Sequence, residues 1–404
     1  MDISRRKFFG TGATAALGIT GARLTPGEGS PKPEGTRFNN MDPHFKSAFG
    51  RNFTSDAIHA GENSGCSATP IYQGSTNHGA YTRGGNPTIN TLEVKLKSLE
   101  GGEWAVATAC GMAAISQTLF TFLKPGARMV CHRCVYNGTD QLLTQDLPKF
   151  GVEVKWIDMR DLAQLRSALK KKTDMVYFEI HSNPTLEVVD VKGASQIAHE
   201  AGALVIVDNT WISPYLMQPL HWGADIVLHS ATKYLMGHGM GLGGIVTGPK
   251  KFLQPIEHTR NKFGGIMSPM NAFLLLEGIK TLPMRMERHC TNARRVAEFL
   301  QTHPKVANVH YPGLESDPGH KVATSQLKAF SGMLGFEMKK KPDFFQYMKL
   351  CRPWVSLGDV ATLCIPWPGA SLRRGIPDNY VRLSVGVEDP DDIIADLKQA
   401  LDKS

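Results

Sequence analysis

The chain has only seven cysteines in 404 residues, too few for a disulfide scaffold. It has no apolar run long enough for a convincing membrane span. No cluster of Lys and Arg interleaved with aromatic residues appears, so nucleic acid is not an expected partner. The net charge of +8 is modest for this length and reads as a solvated surface. There is no repeat of solenoid type. The lone CxxC, Cys131-His132-Arg133-Cys134, lacks a second ligand pair at a matching distance. It reads as buried thiols, and no metal is expected. What remains, 42% hydrophobic and 20% charged, is ordinary globular composition. The length allows two domains, or one large α/β domain with an appendage.

The N-terminus stands apart. Ser4-Arg5-Arg6-Lys7-Phe8-Phe9 leads into a mildly apolar Ala/Gly stretch ending near Ala22. The layout resembles a bacterial twin-arginine export signal, so an exported, periplasmic protein is expected, or a cytoplasmic one if the signal does not function. Residues 23–47, rich in Gly, Pro, Asn and Lys, read as a linker.

From about residue 90, helical and strand patterns alternate. Helices are expected over 89–99, 113–123, 162–171 and 191–200. Strands are expected at 105–108, 129–130, 152–154, 175–179, around Val205 and at 224–229. This alternation predicts an α/β domain with a mostly parallel sheet. Ligands then bind beyond the carboxyl ends of the strands, where Gly111, Asp208 and Lys233 fall. After about residue 285 a long helix, short strands near 309, 332 and 381 and a final helix over 391–401 read as a smaller α+β domain.

Lys233 lies in Ser230-Ala231-Thr232-Lys233-Tyr234, just past one of the buried strands. An apolar wall lowers a lysine pKa, which suits an amine that condenses with an aldehyde near neutral pH. Ser230 and Thr232 can donate to a phosphate. Asp208, at the end of another buried strand, can keep a pyridine nitrogen protonated. A lysine, phosphate donors and a ring carboxylate are what pyridoxal 5'-phosphate (PLP) requires of a protein.

Further motifs follow in order: Tyr81-Thr82-Arg83-Gly84-Gly85-Asn86-Pro87, Cys110-Gly111-Met112-Ala113, Tyr136-Asn137-Gly138-Thr139 and Glu179-Ile180-His181-Ser182-Asn183-Pro184. With Asp208 and Lys233 they resemble the Cys/Met-metabolism family of PLP-dependent enzymes, over the chain from about residue 50 onward. The resemblance implies an aminotransferase-like, fold type I architecture. After the expected signal and linker at 1–47, it implies an arm at 48–95 that completes a neighbour's site, a PLP domain at 96–285 and a C-terminal domain at 286–404.

The resemblance also assigns roles. Tyr81 and Arg83 would reach the partner's PLP phosphate, and Gly111 and Met112 would cradle phosphate through backbone amides. Tyr136 would stack on the ring and protonate the leaving group, while Asn183 would contact the ring hydroxyl. Arg382 would grip the substrate carboxylate, and Ser356 would help to place Lys233 and that carboxylate. His181 stands where the family usually has Pro. It reads as a satisfied structural histidine, with an extra proton carrier as the alternative.

The implied reaction is α,γ-elimination at Cγ of a methionine-, homocysteine- or homoserine-type amino acid, with Lys233 moving protons. The alternatives are a γ-replacement synthase, a cystathionine β- or γ-lyase, and a non-catalytic exported protein of the same fold. Ala361, where cystathionine-handling members often have Glu, favours an uncharged thioether or an O-acylhomoserine. Gly138, where methionine γ-lyases usually have Cys, and Asn209-Thr210-Trp211, similar to cystathionine β-lyases, pull the other way. The Cys364-Ile365-Pro366-Trp367-Pro368-Gly369-Ala370-Ser371 run departs from the family's His-Pro-Ala-Ser, so an unusual pocket edge is expected there. A homodimer, commonly a tetramer, is implied.

Overall fold

A computed structural model describes residues 51–62, 65–77, 80–367 and 373–404. The expected export signal and linker lie outside the described residues. So does the whole of the Pro368–Ser371 stretch.

A short ribbon, β1 (Thr76–Asn77) against β2 (Ala80–Tyr81), precedes the main sheet. That sheet contains β3 (Trp104–Thr108), β4 (Arg128–His132), β5 (Glu153–Ile157), β6 (Met175–Glu179), β7 (Leu204–Asp208), β8 (Ile226–Ser230) and β9 (Gly244–Gly248). Their spatial order is β3-β9-β8-β7-β6-β4-β5. The five strands from β8 to β5 run parallel, as the helix–strand alternation predicts. β9 and β3 run antiparallel to their neighbours. The chain returns from β8 to β9 through the lysine-bearing loop with no crossover helix, and that direct return gives the antiparallel pairing.

Strands β4, β6 and β9 are buried at every position, and edge strand β5 is partly exposed. Burial on both faces requires the continuous apolar runs seen in the sequence. The helix Pro87–Glu100 follows its caps: Asn86 accepts from the Thr88 amide, Pro87 opens the first turn, and Gly101 closes it at a φ of 72°. A second helix, Gly111–Phe122, starts directly after β3 and points its N-terminus at the carboxyl ends of the neighbouring strands.

The smaller sheet holds β10 (Val306–His310), β11 (Met333–Met338), β12 (Leu363–Pro366) and β13 (Tyr380–Ser384), ordered β10-β11-β13-β12 and antiparallel throughout. Helices Leu282–Thr302 and Pro390–Lys403 cover it, sharing a core with Leu300, Phe336, Val381 and Leu397. Burying each such side chain stabilises by roughly 1.5–3 kcal/mol. This core places β13, and with it Arg382, at the edge of the main sheet's site.

The sequence reading missed β9, β12 and the helices Lys250–Phe263 and Pro269–Lys280. Pro255 inside the first helix and the Gly264–Pro269 break disguise the pair. The helix expected over 162–171 ends at Ala168, because Lys170, Lys171 and Lys172 are exposed and leave no apolar face to bury.

Candidate active site

A cavity of about 410 Å³ opens at the carboxyl ends of β6, β7 and β8. Gly111, Met112, Tyr136, Asn183, Asp208, Ser230, Thr232, Lys233, Ser356 and Arg382 all line it. Tyr81 and Arg83 do not. Both are exposed, with the Arg83 guanidinium 5.1 Å from the Tyr81 ring centre.

Lys233 Nζ donates to Ser356 Oγ at 2.6 Å. Burial, helped by the nearby positive charge of Arg382, lowers its pKa to about 8. Ser356 is held at a φ of 91°, a conformation that costs a non-glycine residue roughly 1–3 kcal/mol. In that geometry its hydroxyl meets Lys233, and its carbonyl accepts from Arg382 Nη2 at 2.8 Å. Arg382 Nη1 donates to Asn183 Oδ1 at 3.0 Å. Arg382 Nε is buried and has no partner among the described residues, so a donor remains for an incoming carboxylate. Desolvation lowers this guanidinium to about 10.

Asp208 is 8% exposed and accepts from the Thr210 amide at 2.9 Å and the Tyr177 hydroxyl at 3.3 Å. Burial raises its pKa, so a cationic partner would restore the charged form. The phosphate end is defined by close approach. A Cβ on Gly111 would sit 2.7 Å from Ser230 Cβ and 2.8 Å from its Oγ, so only glycine lets the backbone come this near. The first amides of the helix Gly111–Phe122 have no acceptor within the helix and suit an anion. Thr232 Oγ1 accepts from the Gly243 amide at 3.0 Å, which pins the lysine loop. A glycine-only approach, an anion-seeking helix start, a buried carboxylate and a low-pKa lysine fit PLP. Lys233 would hold its aldehyde carbon, Asp208 its ring nitrogen, and the Gly111 and Ser230 end its phosphate.

Several supporting residues were not foreseen. Glu179 accepts from the Tyr136 amide at 2.6 Å and the Asn183 amide at 2.9 Å, tying two site residues together. Behind Asp208, buried His229 meets Glu100 Oε1 at 2.5 Å, and Asn209 donates to the same oxygen at 2.8 Å. Glu100 lies 129 residues from His229, so no local pattern reveals the pair. Trp367 packs beside Arg382, its ring centre 4.9 Å from the guanidinium. Ala361 does not line the cavity. The outer wall is built from Leu242, Val355, Leu357, Ile365 and Trp367. Cys131 and Cys134 are buried, and burial pushes both thiols up. His132, Asp158 and Glu187 offer ligand atoms within 4.8 Å of one another, but Arg133 and Arg160 pair with both carboxylates.

The family model of the Cys/Met metabolism PLP-dependent enzymes matches residues 55–402. The chain is 43% identical over 384 residues to an L-methionine gamma-lyase of Fusobacterium nucleatum subsp. polymorphum, covering 86% of this chain and 97% of that one. It is 40% identical over 388 residues to the L-methionine gamma-lyase of Pseudomonas putida, covering 87% and 98%. It is also 40% identical over 373 residues to a cystathionine beta-lyase of Lactococcus lactis subsp. cremoris, covering 86% and 98%. The crystal structure of metB from Corynebacterium glutamicum superposes with a TM-score of 0.85 at 36% identity, covering 87% of this chain and 98% of that one.

One expectation is corrected. The relatives are cytoplasmic enzymes, which overturns the exported, periplasmic location drawn from the paired arginines. No helix among the described residues is long and apolar enough to cross a membrane. The shared fold type I architecture, a cavity whose lining suits PLP and identity along most of the chain agree: this protein belongs to the Cys/Met metabolism family of PLP-dependent enzymes and is a lyase of its trans-sulfuration branch.

Proposed function

We propose that the protein cleaves the C–S bond at Cγ of a methionine-type amino acid, releasing a thiol, ammonia and a 2-oxo acid. The observation that carries this reading is the contrast within the cavity. Polar groups gather around Lys233, Asp208 and Arg382, while Leu242, Val355, Leu357, Ile365 and Trp367 form an uncharged outer wall. A methyl thioether suits that wall. The second carboxylate and amine of cystathionine would meet no charged partner among those five residues.

Bound PLP supplies the electron sink for the pair left at Cα. The side chains do the rest. Arg382 fixes the carboxylate with the donor left free by Asn183 and Ser356, which orients the Cα–H bond. Lys233, neutral above about pH 8, takes the Cα proton, would pass it to the carbon that was the cofactor's aldehyde and, neutral again, takes one from Cβ. Tyr136, 43% exposed at the mouth, gives a proton to the departing sulfur. Tyr81 and Arg83, exposed and outside their own chain's cavity, complete the site of a second copy. The working unit is then a homodimer, and a tetramer pairs two of them. In this reading residues 48–95 form the exchanged arm, 96–285 hold PLP, and 286–404 supply Ser356 and Arg382.

Cystathionine β-lysis is the second reading, supported by Trp211 in the cavity wall and by the Lactococcus relative. The two differ in product. PLP-loaded protein given L-methionine, L-cystathionine or O-acetyl-L-homoserine should release 2-oxobutanoate and methanethiol from methionine, with much slower turnover of cystathionine. Pyruvate from cystathionine, with no product from methionine, would reverse the choice. A thiol built into a new amino acid would indicate γ-replacement instead.

A further inference from the structure

His181 is the cavity residue whose chemistry the proposed reaction leaves unused. The sequence favours a satisfied structural histidine, and the geometry differs. The side chain is 1% exposed, and neither ring nitrogen has a hydrogen-bond partner among the described residues. Each buried polar group left unpaired costs roughly 1–3 kcal/mol, so an orphaned imidazole points to a ligand that satisfies it. His181 faces such a place, because it lines the cavity.

Its backbone is fixed by a bridge between His181 and Val188. Along this segment Glu179, His181 and Asn183 all line the cavity, two residues apart, as alternate side chains of an extended chain do. Ile180 turns into the core, and Ser182 Oγ pairs with Thr185 Oγ1 at 2.7 Å. Burial lowers the imidazole pKa to about 3. The ring is therefore neutral, with one donor and one acceptor, and is poorly matched to carrying protons near neutral pH.

We propose that His181 is a positioning residue for the cofactor, its imidazole hydrogen-bonding to bound PLP from the wall it shares with Asn183 and Asp208. This rests on the PLP assignment. The test is spectrophotometric titration of the apoprotein with PLP, comparing wild type with His181→Ala, His181→Leu and His181→Gln. Loss of one hydrogen bond should weaken PLP binding by about 3- to 15-fold in the Ala and Leu variants. It should also move the visible absorbance of the bound cofactor. The Gln variant, which keeps a donor and an acceptor, should recover most of both. Apoprotein melting should not fall in His181→Leu, since the orphaned groups are gone and the volume is nearly kept. If His181→Ala does not fold, His181→Leu carries the comparison. Wild-type PLP affinity and an unchanged spectrum in the Leu variant would overturn the proposal. Wild type itself failing to bind PLP would overturn the cofactor assignment as well.

Discussion

The inner and outer halves of the cavity are built on opposite principles. At the inner end every reactive group is held by the fold: Lys233 by Ser356, Arg382 by Asn183 and Ser356, Asp208 by Thr210 and Tyr177. The outer wall is apolar, and two of its residues are loosely covered, with Leu242 57% and Val355 79% exposed. Reactive groups held in advance lose little freedom when the reaction begins. An uncharged mouth discriminates only by size and by refusing charge, which is a weaker filter. The chemistry of this protein is therefore fixed more firmly by its fold than its substrate is.

The strongest way to break the comparison is to remove the lysine. Lys233→Ala should lower turnover by roughly 10²–10⁴-fold through lost proton transfer alone. It should also abolish the visible absorbance of lysine-bound cofactor, read on the purified variant. Stability should move the other way. Burial lowers the folded-state pKa of Lys233 to about 8 from 10.5. Below pH 8 both states carry the proton, and the folded state bears the buried charge. Between those values the folded state loses the proton first, so stability rises with pH, and the penalty is gone above 10.5. Lys233→Met should thus stabilise the apoprotein at pH 7 by roughly 1–3 kcal/mol, a gain that fades toward pH 10.5. Denaturant melts at the two pH values check this, and a gain independent of pH would contradict it.

The second way is to remove the positive charge that faces the lysine. After burial, Arg382 is the next cause of the lowered Lys233 pKa. In wild-type apoprotein the rate of PLP capture should climb as pH rises through about 8, because only the neutral amine attacks. Arg382→Met should shift that profile to higher pH. It should also cost roughly 10²-fold or more in kcat/KM, as expected when one partner of a buried charged contact is lost. Stopped-flow capture across a pH series reads the first effect, and steady-state kinetics the second. An unmoved capture profile would separate Arg382 from the lysine.

The inner end was also the more legible half in sequence. Ten of the expected site residues meet around one cavity, because strand ends of a parallel sheet bring distant motifs together. His181 was legible as a departure but not as an unsatisfied group, since hydrogen-bond accounting requires coordinates. The Glu100–His229 pair behind Asp208 was invisible, as its members lie far apart in the chain. The outer wall was legible only in part: the run from Cys364 was expected as an unusual pocket edge, and its Ile365 and Trp367 do line the cavity, whereas Ala361, whose lack of charge was read as favouring an uncharged substrate, does not. The reason is β12: Leu363–Pro366 pairs with β13 opposite Arg382, and this register turns Ile365 toward the site. A four-residue strand ending in Pro366 carries too weak an alternation to be recognised in advance.

Ile365 gives the smallest and most discriminating prediction. It pairs directly with Arg382 across the β12–β13 ladder and sits where the inner and outer halves meet. Ile365→Glu adds a charge to the apolar wall without touching the groups that hold Lys233 or Asp208. The KM for L-methionine should rise by roughly 10-fold, the scale on which hydrophobic pockets discriminate, while PLP affinity changes less than about 2-fold. The new carboxylate lies close to Arg382, so part of the effect can come from competition with the substrate carboxylate. Ile365→Gln separates the two. It keeps the polarity and length but not the charge, so it should retain a lower KM than Ile365→Glu while remaining worse than wild type. Equal KM values for both variants would mean that polarity alone disrupts the wall. Unchanged KM in both would remove Ile365 from substrate selection and with it the argument that the outer wall chooses a thioether.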